Sequence, residues 1–230
     1  MDRFREDFDE RSGEILAYLD LLKFIEYAGA ELISSDDKEH KFSITAQSRK
    51  TLKGAVYILL YNLIESTMRE AICLIHETIY DRNVEFDKLR KNIRSEILKR
   101  LKNESVNIES LVNRLTKGIS CGISCGISYG TFNKKKIFSG NIDREEIKEK
   151  SKIYGFSTYS DYTHTKHGEK LATVKQHRND LSHGNVSFAE IGKNVSYQDL
   201  ENISLEVIAY LDAIANNIEH YINNNEYLEQ

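Results

Sequence analysis

The chain contains no proline in 230 residues, and this absence limits its fold more than any other single feature. Average usage of roughly 5% would place about eleven prolines in a chain of this length. Proline removes a backbone donor and clashes with the preceding helical turn, so its absence leaves long helices free of that interruption. The sequence therefore favours an all-α fold.

Six segments have helical signals. In five of them apolar residues recur at spacings of three and four, which places these residues on one face of a helix, and the segment from Asp143 begins with an acidic first turn and ends near a glycine. The longest segment is apolar on two sides, as is typical of a central helix. It would span about 48 Å, so we predict a bend or break within it. We predict a charged loop over residues 34–44. The six segments run from Phe8 to Gly29, Ser48 to Tyr80, Phe86 to Leu101, Asp143 to Gly155, Glu169 to Gly184 and Ser196 to Tyr221.

A tetrapeptide repeat interrupts this helical pattern. Residues 118–130 read GISCGISCGISYG, and their glycines and serines predict a loop-rich insertion around residues 118–140. Cys121 and Cys125 lack the neighbouring His or Cys that a tetrahedral metal site requires, so we predict no metal. The whole pattern predicts one domain over residues 1–230, built as an up-and-down helical bundle with this insertion.

Composition and charge narrow the functional classes. Hydrophobic residues make up 40% and charged residues 30% of the chain, a balance that supports a packed core. The net charge of -4 gives no long-range attraction to nucleic acid, so any RNA contact must come from local basic groups. Three cysteines and a charged N-terminus without a signal-peptide pattern predict a cytoplasmic location. No apolar stretch reaches the roughly 18 residues of a membrane span, so no membrane contact is expected.

An arginine occupies an apolar stripe near the end of the fifth helical segment. Leu171, Val174, Arg178 and Leu181 follow one another at spacings of three and four. Burying a guanidinium without an anionic partner is costly. The position therefore requires either a structural carboxylate or a functional anion such as a phosphate.

His183 follows Arg178 by five residues, about 140° around a regular helix, so the two do not share one face. Asn179 and His183 are four residues apart, as are Arg178 and Ser182, and these pairs form two adjacent polar ridges. Histidine transfers protons near neutral pH, the arginine fork matches phosphate oxygens, and asparagine can orient either group. These residue types suit cleavage of RNA by 2′-hydroxyl attack without a metal or another cofactor.

The pattern of an arginine, four to six residues and then a histidine is weak support by itself. Roughly one accidental match is expected in a chain of this composition, and Arg69 with His76 provides one. The interpretation of Arg178 and His183 therefore depends on the sequence around them.

That surrounding sequence resembles the HEPN superfamily. VKQHRNDLSHGN, residues 174–185, resembles its signature, in which a polar residue follows the arginine and the histidine closes a helix. LLYNLIESTMREAI (residues 59–72), SGNIDREEIKEKSKIYGFS and the tail from SFAEIG onward resemble the MAE-type prokaryotic branch, which is associated with toxin-antitoxin and phage-defence loci. The resemblance covers nearly the whole chain, although the GIS repeat is not typical of the family.

The resemblance implies a HEPN-like helical bundle that acts as a metal-independent endoribonuclease. It implies a homodimer in which two motif helices face each other across a shared cleft. The expected substrate is RNA, and DNA is not expected to bind. A cognate antitoxin protein is expected as a further partner. Arg178 and His183 match the catalytic pair, and Asn179 matches the polar residue after the arginine. The supporting candidates are Asp180 and Ser182 in the motif and Asn62 and Glu65 on the long helix.

Two alternatives to catalysis stay open at the level of sequence. The chain could be a non-catalytic HEPN module that binds a nucleotide, RNA or a partner protein. It could also be a structural helical domain in which Arg178 pairs with a core carboxylate, and Glu65 is the candidate partner.

Overall fold

The computed structural model describes residues 2–27, 29–39, 41–103, 137–138 and 140–229. Most of the insertion that we predict around residues 118–140, with Cys121 and Cys125, therefore lies outside the described residues. Within the described ranges the chain forms eight α-helices and one small two-stranded sheet, which confirms the predicted all-α class.

The described elements follow one another with short connections. An antiparallel hairpin, in which Leu32 lies opposite Phe42, joins the first two helices. In chain order the elements are α1 (Asp2–Ile25), β1 (Glu31–Ile33), β2 (Lys41–Ser43), α2 (Ala46–Asp81), α3 (Lys91–Asn103), α4 (Arg144–Tyr154), α5 (Tyr162–Thr165), α6 (Lys170–Ser182), α7 (Phe188–Lys193) and α8 (Tyr197–Asn223).

Three local predictions need correction. Of the bend or break predicted in the longest helix, the break is wrong, because α2 runs for 36 residues as one helix, and most of the apolar residues in its two stripes are buried. The charged loop predicted over residues 34–44 is partly wrong, because β2 lies inside it. Residues 86–88 form a 3-10 turn, so the next α-helix begins at Lys91 instead of Phe86. None of the described helices is long and apolar enough to cross a membrane.

The chain divides into two compact units. Unit 1 comprises Met1–Phe4, Thr67–Ser160 and Asp212–Gln230, and unit 2 comprises Arg5–Ser66 and Asp161–Leu211. Both α2 and α8 contribute residues to each unit. The interpretation of residues 1–230 as one domain stays a prediction.

Unit 1 contains the helix whose limits the sequence predicts most closely. The Asp143 carboxylate accepts hydrogen bonds from the backbone N–H groups of Glu145 and Glu146, and Gly155 ends α4 with a φ of 93°. The Tyr154 side chain is buried and its hydroxyl lies 2.9 Å from Nε2 of His76. His76, the histidine of the accidental Arg69 match, thus packs inside unit 1.

Unit 2 contains the first half of α8, which begins directly after Ser196, the predicted start of the last helical segment. The Ser196 hydroxyl accepts from the Asp199 backbone N–H at 3.1 Å, and the Asp199 carboxylate accepts from the Ser196 backbone N–H at 3.1 Å. This is the reciprocal bonding of a capping box. The predicted apolar stripe of this helix is buried along its whole length: Leu200, Ile203, Val207, Leu211, Ile214, Ile218 and Tyr221.

Two glycines allow α7 to approach α2 closely within unit 2. A Cβ added at Gly192 would overlap the Lys50 carbonyl, and one added at Gly54 would overlap the Phe188 carbonyl. Backbone atoms cannot move aside as a flexible side chain can. The contact therefore fixes α7 against α2.

We expect Gly192→Ala to lower the free energy of unfolding by about 1–3 kcal/mol, because the added methyl group forces these two helices apart. The control is Gly13→Ala in α1, where an added Cβ meets nothing within 4 Å. That change should raise stability by about 0.4–1 kcal/mol, because alanine restricts the unfolded chain. Urea denaturation of the two variants measures both effects, and equal stability of the two variants would contradict the close contact.

Candidate functional site

The motif segment forms the end of α6. Leu171 and Val174 are fully buried and anchor this helix in unit 2. His183 is its C-cap residue, and the His183 backbone N–H donates to the Asn179 carbonyl at 2.9 Å. Gly184 follows in the left-handed conformation, with a φ of 69°, which stops the helix. The predicted helix end at His183 and Gly184 is confirmed.

The Arg178 side chain is only 26% exposed and has two partners on α2. Its Nη2 lies 3.6 Å from Oε2 of Glu65, and its Cζ lies 4.1 Å from the centroid of the Tyr61 ring. The position of Arg178 on an apolar stripe predicted an anionic partner. Arg178 contacts the carboxylate of Glu65 and the face of the Tyr61 ring. Both contacts stabilise a half-buried guanidinium.

Asn179 contacts the other end of the same guanidinium. Its side-chain carbonyl Oδ1 accepts a hydrogen bond from Nη1 of Arg178 at 2.9 Å. The guanidinium is thus held at both terminal nitrogens, by Asn179 at one and by Glu65 at the other. A planar group held in this way keeps its orientation, which is what recognition of a phosphate requires.

The His183 ring is exposed to solvent. Among the residues that the structure describes, none shares a hydrogen bond with this ring, so within one chain it is not joined to the Arg178 guanidinium. Ser182 is exposed as well. The two groups of the predicted pair thus lie at one helix end without contacting each other.

The supporting candidates separate into two groups. Glu65 lies at the site, in contact with Arg178, and Asp180 is half-buried one turn after Gln176, whose amide donates to both carboxylate oxygens at 3.0 and 3.1 Å. Asn62, in contrast, is exposed on α2. Tyr61 was missed by the sequence interpretation, although it precedes Glu65 by four residues and so shares its helical face.

Unit 2 also contains a cavity of about 710 Å³ beside the motif helix. His177 and Asp180 of α6 line it, and the His177 ring packs at a tilt on Tyr57 with 4.4 Å between the centroids. Burial lowers the pKa of His177 although the negative charge of Asp180 acts to raise it. The sequence interpretation missed this cavity, whose lining comes from four separate parts of unit 2.

Comparison with known proteins adds one finding. The family model described as HEPN_MAE_28990-like HEPN matches residues 1–227 of the chain. No curated protein and no solved structure matches it. HEPN domains are generally associated with ribonucleases.

Proposed function

The chain belongs to the HEPN_MAE_28990-like HEPN family, and from this membership and the arrangement around Arg178 we propose that it is a metal-independent endoribonuclease. The main support for this proposal is the position of the Arg178 guanidinium. It is oriented by Asn179 and Glu65, remains partly exposed, and lies on the same final helical turns as the exposed His183.

Arg178 binds the scissile phosphate in the proposed reaction. Its charge and planar fork stabilise the negative charge that grows on the phosphate oxygens as the 2′-oxygen attacks. The Tyr61 ring supports one face of the guanidinium, and Asn179 limits its rotation. Glu65 balances the arginine charge when no RNA is bound and keeps the side chain in place.

His183 transfers protons as general base or general acid. The 2′-hydroxyl loses a proton as the bond from O2′ to phosphorus forms, and the leaving 5′-oxygen gains one as its bond to phosphorus breaks. The products are a 2′,3′-cyclic phosphate and a 5′-hydroxyl. The reaction needs two proton transfers, and His183 of one chain supplies one of them.

A homodimer belongs to this proposal. A second copy of α6 facing the first would add a second His183, so that one copy acts as base and the other as acid. The exposure of both His183 and Ser182 at the helix end is compatible with such a pairing. We also propose that the enzyme serves a toxin-antitoxin or phage-defence system and that a cognate antitoxin protein neutralises it.

A second candidate function is a non-catalytic HEPN module that binds a nucleotide. The cavity of about 710 Å³ beside α6 favours it, because cavities of about 300–1,000 Å³ typically hold ligands of nucleotide size. The pairing of Arg178 with Glu65 is also compatible with a structural role for the arginine.

Incubation of the purified protein with a mixed-sequence RNA in EDTA separates these functions. We expect RNA fragments to accumulate with time, and light scattering of the same preparation to give twice the mass of one chain. Retention of the RNA on the protein without any fragments would support the non-catalytic module instead. A monomer that cleaves RNA would overturn the dimer while leaving the nuclease in place.

A further inference from the structure

The outer face of α1 and the hairpin after it form a surface that the proposed reaction does not use. Seven of the thirteen large hydrophobic side chains that are exposed among the described residues lie between residues 16 and 42. Phe24 is 59% exposed and Phe42 is 57% exposed. All seven belong to unit 2, and we call them the α1–hairpin surface: Leu16, Leu21, Phe24, Tyr27, Leu32, Ile33 and Phe42.

The α1 part of this surface belongs to a regular row of residues opposite the buried face of the helix. The buried residues of α1 in unit 2 run from Phe8 to Ile25 at spacings of three and four. Each member of the outer row follows a buried residue by two positions, which is about 200° around the helix. The members of the outer row are exposed: Glu10, Glu14, Ala17, Leu21 and Phe24. This row gives α1 a second face that can pack against a partner.

The hairpin continues the apolar surface beyond the end of α1. The Ala30 N–H donates to the Tyr27 carbonyl at 3.3 Å, and the Ala30 carbonyl accepts from the Ile44 N–H at 3.0 Å, so the hairpin base is joined to this end. Leu32 lies opposite Phe42, which places both side chains on one face of the sheet. All six strand residues are exposed. An isolated two-stranded hairpin is marginally stable, so a partner that covers this face stabilises it.

The charge of this region restricts the partner. Residues 5–42 contain 11 acidic and 5 basic residues, a net charge of -6, whereas the whole chain has -4. Glu10 and Glu14 extend the row of Leu21 and Phe24 toward the start of α1, so the row has an acidic half and an apolar half. The negative charge disfavours RNA and an anionic membrane. A second copy of the same surface brings the same negative charge, whereas a cationic partner is attracted.

We propose that the α1–hairpin surface binds another protein through an amphipathic helix that is apolar on one face and rich in lysine and arginine at one end. The apolar residues of that helix pack on Leu21 and Phe24 and, beyond the end of α1, on the hairpin. Its basic end lies over Glu10 and Glu14 and sets the direction in which the helix binds. Helices that bind in this way use anchors three and four residues apart, which is the spacing of the outer row.

The inference goes beyond the ribonuclease reaction, because none of the residues of the α1–hairpin surface takes part in it. It rests on the proposed function in one respect only: in a toxin-antitoxin system, the protein that carries this helix is the antitoxin. Binding of a helix is measured without RNA. A chain that does not cleave RNA would therefore contradict the ribonuclease proposal and leave this inference to be decided by binding.

Two synthetic peptides test the partner chemistry. Each has about 18 residues, enough to form a helix, with leucines on one face. In the first peptide the other positions are lysine in one half and glutamine in the second half, and the matched peptide has glutamate in place of every lysine. Fluorescence anisotropy should show that the wild-type chain binds the lysine peptide about 10-fold more tightly than the glutamate peptide. Added salt should reduce this difference.

Substitutions in α1 test the surface itself. Phe24→Ala should weaken binding of the lysine peptide about 10-fold, because an apolar anchor is lost. Leu205→Ala is the control, since Leu205 is an exposed leucine of α8 in the same unit and lies outside the surface. Joint replacement of Glu10 and Glu14 by glutamine should also weaken binding. The control for the charge is the same replacement of Glu145 and Glu149, which are exposed and four residues apart on α4.

Four results would overturn the inference. The first is equal binding of the two peptides by the wild-type chain, and the second is an equal effect of Phe24→Ala and Leu205→Ala. The third is a wild-type dimer that Phe24→Ala converts to a monomer, because a second copy would then cover the surface. The fourth is binding to vesicles of phosphatidylcholine that Phe24→Ala abolishes, because a membrane would then be the partner.

Discussion

Replacing His183 by alanine is expected to slow RNA cleavage by about 10²- to 10⁴-fold, the usual effect of losing a positioned acid or base. The imidazole is the exposed titratable group at the end of α6, and alanine removes it without filling or emptying a core position. The single-turnover rate constant, measured with excess protein over RNA, reports this loss. Growth inhibition on expression should disappear with the same substitution.

His164→Ala is the matched control. His164 is also an exposed histidine of unit 2, but it lies outside the motif and its Nδ1 pairs with Asp161 at 2.6 Å. This variant should cleave RNA at the wild-type rate, and both variants should keep the wild-type melting temperature. Equal cleavage by His183→Ala and the wild-type chain would remove His183 from the mechanism.

Replacing Arg178 by lysine is expected to slow cleavage by about 10²- to 10³-fold, although the positive charge is kept. Lysine lacks the planar fork, so it cannot bond Asn179 and Glu65 at two separate nitrogens while also contacting a phosphate. The stacking of the guanidinium on Tyr61 is lost as well. Single-turnover kinetics again measure the effect.

The change in the free energy of unfolding of Arg178→Lys distinguishes an arginine that binds phosphate from an arginine with a structural role. The lysine still gives Glu65 a cationic partner, so the free energy of unfolding should fall by only about 1 kcal/mol or less. Arg49→Lys provides the control, because Arg49 lies on α2 in the same unit and donates to the Ile44 carbonyl at 3.3 Å. If Arg178→Lys lowers stability and leaves the rate unchanged, the arginine is structural.

The positions of helices were predictable from the sequence where capping residues, turn residues and apolar spacing lie close together in the chain. The capping pair of Ser196 and Asp199 and the regular apolar stripe after it define the start and the buried face of α8. Asp143 and Gly155 define α4 in the same way. In these segments the hydrogen-bonding groups and the turn residues are close neighbours in the chain, so no tertiary information is needed.

Features that depend on distant residues were not predictable in this way. The continuity of α2 was not predictable, because most of its apolar residues are buried on two sides and the sequence does not reveal which neighbours cover them. The cavity beside α6 has His177 and Glu206 in one lining, although 29 positions separate them in the numbering.

The candidate site was predictable in part. The apolar stripe through Arg178 indicated an anionic partner, and Glu65 is that partner, but the Tyr61 face was missed. The pattern of an arginine, four to six residues and a histidine contributed little, because Arg69 and His76 also match it and His76 packs on Tyr154 in unit 1. The family resemblance is what distinguished the two matches.

We propose that this chain cleaves RNA by 2′-hydroxyl attack without a metal. The most direct measurement compares an RNA oligonucleotide with one that carries a single 2′-deoxy nucleotide at the mapped cleavage position, both in EDTA. We expect the all-RNA substrate to yield a 2′,3′-cyclic phosphate and a 5′-hydroxyl, and the 2′-deoxy substrate to stay intact at that position. Cleavage of the 2′-deoxy substrate at the same position, or products that carry a 5′-phosphate, would contradict it.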